Sequence, residues 1–333
     1  MNDEDFKPGE HFLNLGRISL PQRLDVSDEM EPYIPEYDDT YHIREELLLQ
    51  VAAAVASDTP LYLVGPKGCG KTSIIYYLAS MLNQPVLRIN MTSDTRKADC
   101  IGAKTLAKGK SGQRVVWEDG ILLRAMRNNA WLVIDEIDAA PPEVLFSLHS
   151  VLEDARSCTI GQTGEVVKPP GEPAPLFTGS EGVETETYRH FRVFATANTK
   201  GIGDEDGEYH GTNSLNGAML DRFLMSEVWY MDPDAETNVI CARTGFSGAI
   251  VGQVMNVVTS LRERYREDSF STPVTTRQIE LVFQLMKAMQ GGKTSFNDEA
   301  FRIAMGMAIT NKLPAEDAKA VSHIVQLELD IEL

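Results

Sequence analysis

The sequence has little positive charge, few cysteines and no long apolar run. Its 31 lysines and arginines face 49 aspartates and glutamates, for a formal charge of −18. A chain of that sign is repelled by bulk nucleic acid and by anionic lipid surfaces, which leaves a local basic patch as the only route to either. Cys69, Cys100, Cys158 and Cys241 lie far apart and form no C-x-x-C pair. That spacing disfavours a zinc site or a disulfide framework and fits a reducing compartment. No apolar run approaches the ~20 residues that cross a bilayer. The opening residues Met1, Asn2, Asp3, Glu4 and Asp5 lack the basic and apolar regions of a secretion signal. These absences predict a cytoplasmic protein with no membrane partner, and they count against nucleic acid as a ligand.

What is present is an ordinary globular composition. The 333 residues are 43% hydrophobic and 24% charged, and a chain of this length predicts about two domains. It can bury a core without covalent staples. Residues 1–40 are acidic, rich in proline and tyrosine and without sustained period, so they read as an arm that packs on something or stays loose. From residue 60 a pattern repeats: a short apolar run, a loop, then an amphipathic helix. The runs fall at 61–64, 85–89, 131–134, 193–197 and 227–231. Buried strands of a parallel sheet read this way, with the helices as crossovers, so the fold class is α/β, doubly wound. After Asp232 the strands stop. Helical patterns at 235–244, 249–266, 276–289, 298–312 and 316–328 predict an all-helical second domain over 233–333, against an α/β core over 41–232. Two stretches interrupt the core: a Gly- and Lys-rich hairpin candidate at 101–116 and an irregular segment at 157–189. Loops this long in a compact domain are usually functional or mobile.

Gly65-Pro66-Lys67-Gly68-Cys69-Gly70-Lys71-Thr72 fits the phosphate-binding pattern G-x-x-x-x-G-K-[ST]. It follows a predicted strand and opens a predicted helix, the context that the pattern requires. Glycines let the loop curl its N–H groups inward at phosphate oxygens. The helix start at Lys71, Thr72 and Ser73 adds its positive dipole end. Lys71 would reach the β- and γ-phosphates and Thr72 would ligate Mg²⁺. Trp131-Leu132-Val133-Ile134-Asp135-Glu136 reads as a buried strand ending in two acids. Asp135 can hold Mg²⁺, and Glu136 can activate an attacking water. ATP and Mg²⁺ are therefore the expected ligands.

Three further residues belong to the candidate set. Asn198 ends the run 193–197, where an amide can orient that water or touch the γ-phosphate, although asparagine after a strand is most often a turn residue. Arg222 ends a predicted helix before the last strand. It answers the macrodipole, pairs with Asp221 or projects to a neighbouring subunit. Arg277 opens a helix against the macrodipole, which asks for an anion: nucleotide phosphate or a nearby carboxylate. His210 stands near Asp204, Asp206 and Glu208, and a single histidine in such a loop reads as a surface residue rather than a metal ligand.

The order of these elements resembles the AAA+ ATPases. Met91-Thr92-Ser93-Asp94-Thr95 through Ile101-Gly102, and Trp117-Glu118-Asp119-Gly120-Ile121-Leu122 with Ala125-Met126, resemble the MoxR-type branch. Residues 195–204, 207–212 and 216–222, the arm Tyr33-Ile34-Pro35-Glu36 and the tail 301–312 are similar to the CobS-type subunits of aerobic cobaltochelatases. The resemblance covers the chain from about residue 30 on. It implies rings, typically hexamers, with ATP at subunit boundaries. It implies a von Willebrand A protein and a large cobalt-inserting chelatase subunit as partners. It gives Lys71, Thr72, Asp135, Glu136 and Asn198 the roles argued above, Arg222 the finger acting in trans and Arg277 the second sensor. Cys69 stands where the family often carries a small hydroxyl or glycine-like residue, and it reads as a small filler ahead of an oxidisable thiol. The two interruptions match insertions that face the pore or the partner. Three functions follow from it: a chelatase motor, a remodelling ATPase acting on another von Willebrand A protein, and an ATP-dependent scaffold with little hydrolysis.

Overall fold

The computed structural model describes residues 12–16, 18–109, 112–172, 188–201 and 215–333. Five short parallel strands make the central sheet: β1 (Leu61–Val64), β2 (Val86–Asn90), β3 (Trp131–Asp135), β4 (Val193–Ala197) and β5 (Leu224–Glu227). Their spatial order is β5-β1-β4-β3-β2, and every pairing is parallel. The three central strands are buried at every position, which is why they read as unbroken apolar runs rather than as alternation. The connections that leave the neighbouring strands β1 and β4 run in opposite directions across the sheet, to β2 at one edge and to β5 at the other. Ligands of open α/β sheets collect at the carboxyl ends of the strands at such a reversal.

Two expectations need correction. The last strand runs 224–227, not 227–231. Leu224 and Met225 are each 44% exposed on this edge strand, so the true strand carries no apolar signature. Val228 and Tyr230, which do look like core, are buried beyond its end. The helix expected over 298–312 stops at Ala308, where Ile309 leaves helical dihedrals and a single 3-10 turn, Thr310–Lys312, follows. The described part of the N-terminal arm packs, the first of its two expected behaviours. Phe12–Leu15 and Ile18–Pro21 pair as an antiparallel hairpin, and Leu20 and Met30 are fully buried. The first insertion is a regular antiparallel hairpin, Gly102–Gly109 with Gly112–Asp119. The second contains a two-residue ladder, Cys158–Thr159 with Val166–Val167; its residues 173–187 lie outside the described residues, as do 202–214 with His210. No helix among the described residues is long and apolar enough to cross a membrane.

The chain divides into two compact units. One comprises residues up to 37, 45–65 and 71–228, and the other 38–44, 66–70 and 229–333. In the second, helices Pro233–Thr244, Gly248–Arg266, Thr276–Met289, Asp298–Ala308 and Ala315–Leu329 share their own apolar core, with Phe283 and Phe301 fully buried. Local chemistry sets their ends. Asp232 and Asn297 accept from backbone N–H groups of the first turns they cap, and Thr275 with Gln278 forms a reciprocal capping box. Gly245, at φ +83°, supplies the left-handed residue that ends the first helix. Fully buried Glu236 takes both guanidinium nitrogens of Arg262, at 2.6 and 2.9 Å.

In the first unit, Asp58 gathers Arg156, Arg189 and Arg192. All four side chains are less than a tenth exposed. Burial lowers the Arg192 guanidinium to about 10, with Asp58 opposing the shift. Arg156 precedes the second insertion and Arg189 closes it, so one carboxyl ties both roots of that insertion to the turn before β1. Asp58→Ala leaves three buried guanidinium groups short of a counter-charge. It is expected to cost roughly 3–5 kcal/mol, measured by urea denaturation. A loss below about 1 kcal/mol would contradict this account of the cluster.

Candidate active site

The site is built on the carboxyl ends of β1, β3 and β4. After Val64 the chain enters the glycine-rich loop, and Gly65 N–H donates to Ala197 O at 3.3 Å, which holds the loop's root to β4. Gly68 and Gly70 adopt φ of +69° and +89°, a left-handed backbone that L side chains resist. The loop thereby curls and the helix Lys71–Met81 begins at once.

Four of the predicted residues meet here. Lys71 Nζ donates to Gly65 O at 2.6 Å and to Asn198 Oδ1 at 3.2 Å. The Thr72 hydroxyl donates to Asp135 Oδ1 at 3.1 Å. Asp135 is 6% exposed, so its carboxyl group needs partners. Thr196 donates its hydroxyl to the same oxygen, and Arg88 forms an ion pair with the other one. Glu136 is exposed, in a left-handed conformation at φ 55° and ψ 45°, and its N–H donates to Thr196 Oγ1 at 3.4 Å. Behind it a single 3-10 turn, Ile137–Ala139, folds back toward β4. There Asp138, 1% exposed, accepts from Asn198 N–H, Thr199 N–H and the Thr199 hydroxyl at 3.2, 3.1 and 2.9 Å.

The remaining candidates sit elsewhere. Arg222 follows the short helix Gly217–Leu220, as expected, and among the described residues its guanidinium is engaged elsewhere than at Asp221. It donates to Ala218 O and, at 3.1 Å, to Glu153 Oε1. Arg277 is exposed on the first turn of Thr276–Met289, in the second unit. Residues 66–70 belong to that unit too, and there the loop tip has its own contacts. The Tyr230 hydroxyl donates to Lys67 O at 2.6 Å. A Cβ added at Gly68 would come within 2.8 Å of Thr275 Cβ, and one at Gly70 within 3.1 Å of an Arg44 guanidinium nitrogen. Pro66 and Cys69 are buried, and Ser73 is exposed. Cys69 is thus an inward-facing small residue, as the filler reading requires.

Sequence reasoning missed Arg88, Asp138, Glu153 and Thr196. Two of them left a signal. Arg88 is a charge inside an otherwise apolar run, and Asp138 repeats an acid three residues after Asp135. Thr196 left none, being one of several small residues in a strand.

The donor set fits Mg²⁺ and a polyphosphate. Hard oxygens from a hydroxyl and a carboxyl group, 3.1 Å apart, suit Mg²⁺. The left-handed glycines, a lysine and a helix N-terminus suit phosphate.

Residues 60–223 match the family described as the AAA domain, dynein-related subfamily. The aerobic cobaltochelatase subunit CobS of Sinorhizobium sp is 30% identical over 268 residues, covering 79% of this chain and 75% of CobS. Protein NorQ of Paracoccus denitrificans is 38% identical over 193 residues, or 58% of this chain and 61% of NorQ. The RuvB Holliday junction branch migration motor of Thermotoga maritima aligns with a TM-score of 0.51 at 16% identity, covering 89% of this chain and 80% of that one. That likeness concerns the fold alone. On the sequence relationship to CobS, and with the phosphate-loop strand, the acidic strand and the asparagine-tipped strand side by side, this chain belongs to the AAA+ ATPases, in the MoxR-type branch with CobS and NorQ.

Proposed function

We propose that this protein is a Mg²⁺-dependent, cytoplasmic ATPase that works as a ring, hexameric by family resemblance, and couples hydrolysis to the remodelling of a partner. The observation that carries the reading is the two hydrogen-bonded pairs Lys71–Asn198 and Thr72–Asp135, which join the start of the helix after β1 to the ends of β4 and β3. In this reading residues 41–232 are the nucleotide-binding core, 233–333 the lid and 1–40 an accessory arm.

Each residue has a task set by its chemistry. The loop from Gly65 to Ser73, with Lys71, cradles the phosphates. Thr72 and Asp135 hold Mg²⁺, which when bound neutralises charge on the phosphate oxygens. Glu136, next to Asp135 and exposed, has a carboxyl group available to polarise the attacking water. Asn198 shares Lys71's reach toward the γ-phosphate. Arg277 is the lid cation. Arg222 completes the site of a neighbouring subunit, which requires Glu153 to release it.

The finer reading is a CobS-like motor subunit, partnered by a von Willebrand A protein and a large chelatase subunit. Its support is the 30% identity that extends over 75% of CobS. A remodelling ATPase acting on a different von Willebrand A protein is the second reading; the 38% identity with NorQ supports its MoxR-type branch, and the partner rests on the family resemblance.

Arg222 tests the ring. A finger of this kind is worth about 10³–10⁵ in rate, or roughly 4–7 kcal/mol of transition-state stabilisation. Arg222→Ala is expected to lose about that factor in phosphate release while its ATP affinity, read by titration calorimetry, stays unchanged. Wild-type turnover per chain should rise with protein concentration as subunits meet. Near-normal turnover in the variant would remove Arg222 from the mechanism.

A further inference from the structure

Asp138 holds the backbone that carries Asn198. It lies on the 3-10 turn that follows Glu136, and its side chain is almost wholly enclosed, at 1% exposed. One carboxyl oxygen accepts from Asn198 N–H, Thr199 N–H and the Thr199 hydroxyl. From the other side the Tyr62 hydroxyl donates to Thr199 O at 2.9 Å. Burial, and after it the nearby Asp138 carboxyl, push the Tyr62 hydroxyl well above its ordinary range, so it remains a donor. The turn after β4 is therefore fixed through both its N–H groups and its carbonyl. The side chain that this turn presents, Asn198, meets Lys71 at 3.2 Å.

We infer that Asp138 is a positioning residue for hydrolysis: it sets the place of the Asn198 amide beside Lys71 and touches no nucleotide itself. The inference rests on the hydrolytic reading of the site. It makes Asp138 the mechanical link between the acidic end of β3, where Asp135 and Glu136 stand, and the polar tip of β4.

The bonding pattern predicts how substitutions behave. Only one carboxyl oxygen is used; the other has no partner among the described residues. An amide oxygen can stand in for it, whereas a methyl group cannot. In the full-length protein with Mg²⁺ and ATP, Asp138→Ala is expected to lower kcat by roughly 10–100-fold, with ATP affinity within about threefold of wild type. Asp138→Asn is expected to stay within about threefold of wild-type kcat. Because the residue acts through Asn198, the double variant Asp138→Ala/Asn198→Ala should be no slower than Asn198→Ala alone. Backbone amide exchange in residues 197–200 should quicken in Asp138→Ala and not in Asp138→Asn.

Three results would overturn the inference. One is unchanged kcat in Asp138→Ala. Another is a double variant slower than Asn198→Ala by the full Asp138→Ala factor, which would make Asp138 independent of Asn198. The third is unchanged amide exchange in residues 197–200. Equal loss in Asp138→Asn and Asp138→Ala would also count against it, because charge rather than hydrogen bonding would then matter. Absence of phosphate release from the wild-type protein would contradict the hydrolytic reading instead, and the inference about Asn198 would be decided by the exchange data.

Discussion

The geometry of the site depends on one buried carboxyl group. β3 ends in Asp135, at 6% exposed, in the middle of a parallel sheet. An acid so placed is costly unless it is bonded. Its partners come from three different elements: Thr72 from the helix after β1, Thr196 from β4 and Arg88 from β2. Satisfying this one group therefore fixes the positions of its neighbours in the sheet. Register does the rest. Ala195 pairs with Ile134 and Ala197 with Val64, so Thr196 arrives at the level of Asp135 and Asn198 at the level of the loop. Functional groups drawn from residues more than a hundred positions apart are held by the backbone ladder of the sheet rather than by mobile loops.

The turn after β3 separates two acids that are adjacent in sequence. Glu136 adopts a left-handed conformation, which costs roughly 1–2 kcal/mol for a residue with a side chain. Backbone bonds from Met91 N–H to Asp135 O and from Ala139 N–H to Glu136 O, at 2.8 and 2.9 Å, help hold it there. Each is worth about 0.5–1.5 kcal/mol net, enough together to offset the strain. The consequence is a division of labour. Asp135 stays buried among donors, Glu136 turns out to solvent, and Asp138 folds beneath β4. A regular helix starting at Glu136 would not separate the three in this way.

Much of the fold was legible because the physics was local. Three of the core strands are short, fully buried and largely apolar, and the apolar runs at 61–64 and 193–197 coincide with two of them. The helix Thr276–Met289 was legible from its capping residues and its period. β5 was not, since an edge strand with exposed Leu224 and Met225 offers no contrast between its faces. The phosphate loop was legible as a motif because glycine spacing and a lysine are demanded by the turn itself. The contacts around it were not. Arg222 reads as a helix-terminal charge, and nothing near it in the sequence points to Glu153, 69 positions away. The grouping of Asp58 with three arginines is likewise a product of tertiary structure, joining residues 98 to 134 positions apart.

The proposed function has these strand ends break the bond to the γ-phosphate, with Glu136 positioning the water. The most direct measurement is steady-state phosphate release from MgATP by the purified wild-type protein and by Glu136→Gln, with ATP binding measured alongside on both. Release by the wild type, a loss of about 10²–10⁴-fold in the variant and equal ATP binding by the two are expected. Equal release from both proteins would contradict the proposed function, as would ATP binding without measurable release from the wild type at any protein concentration.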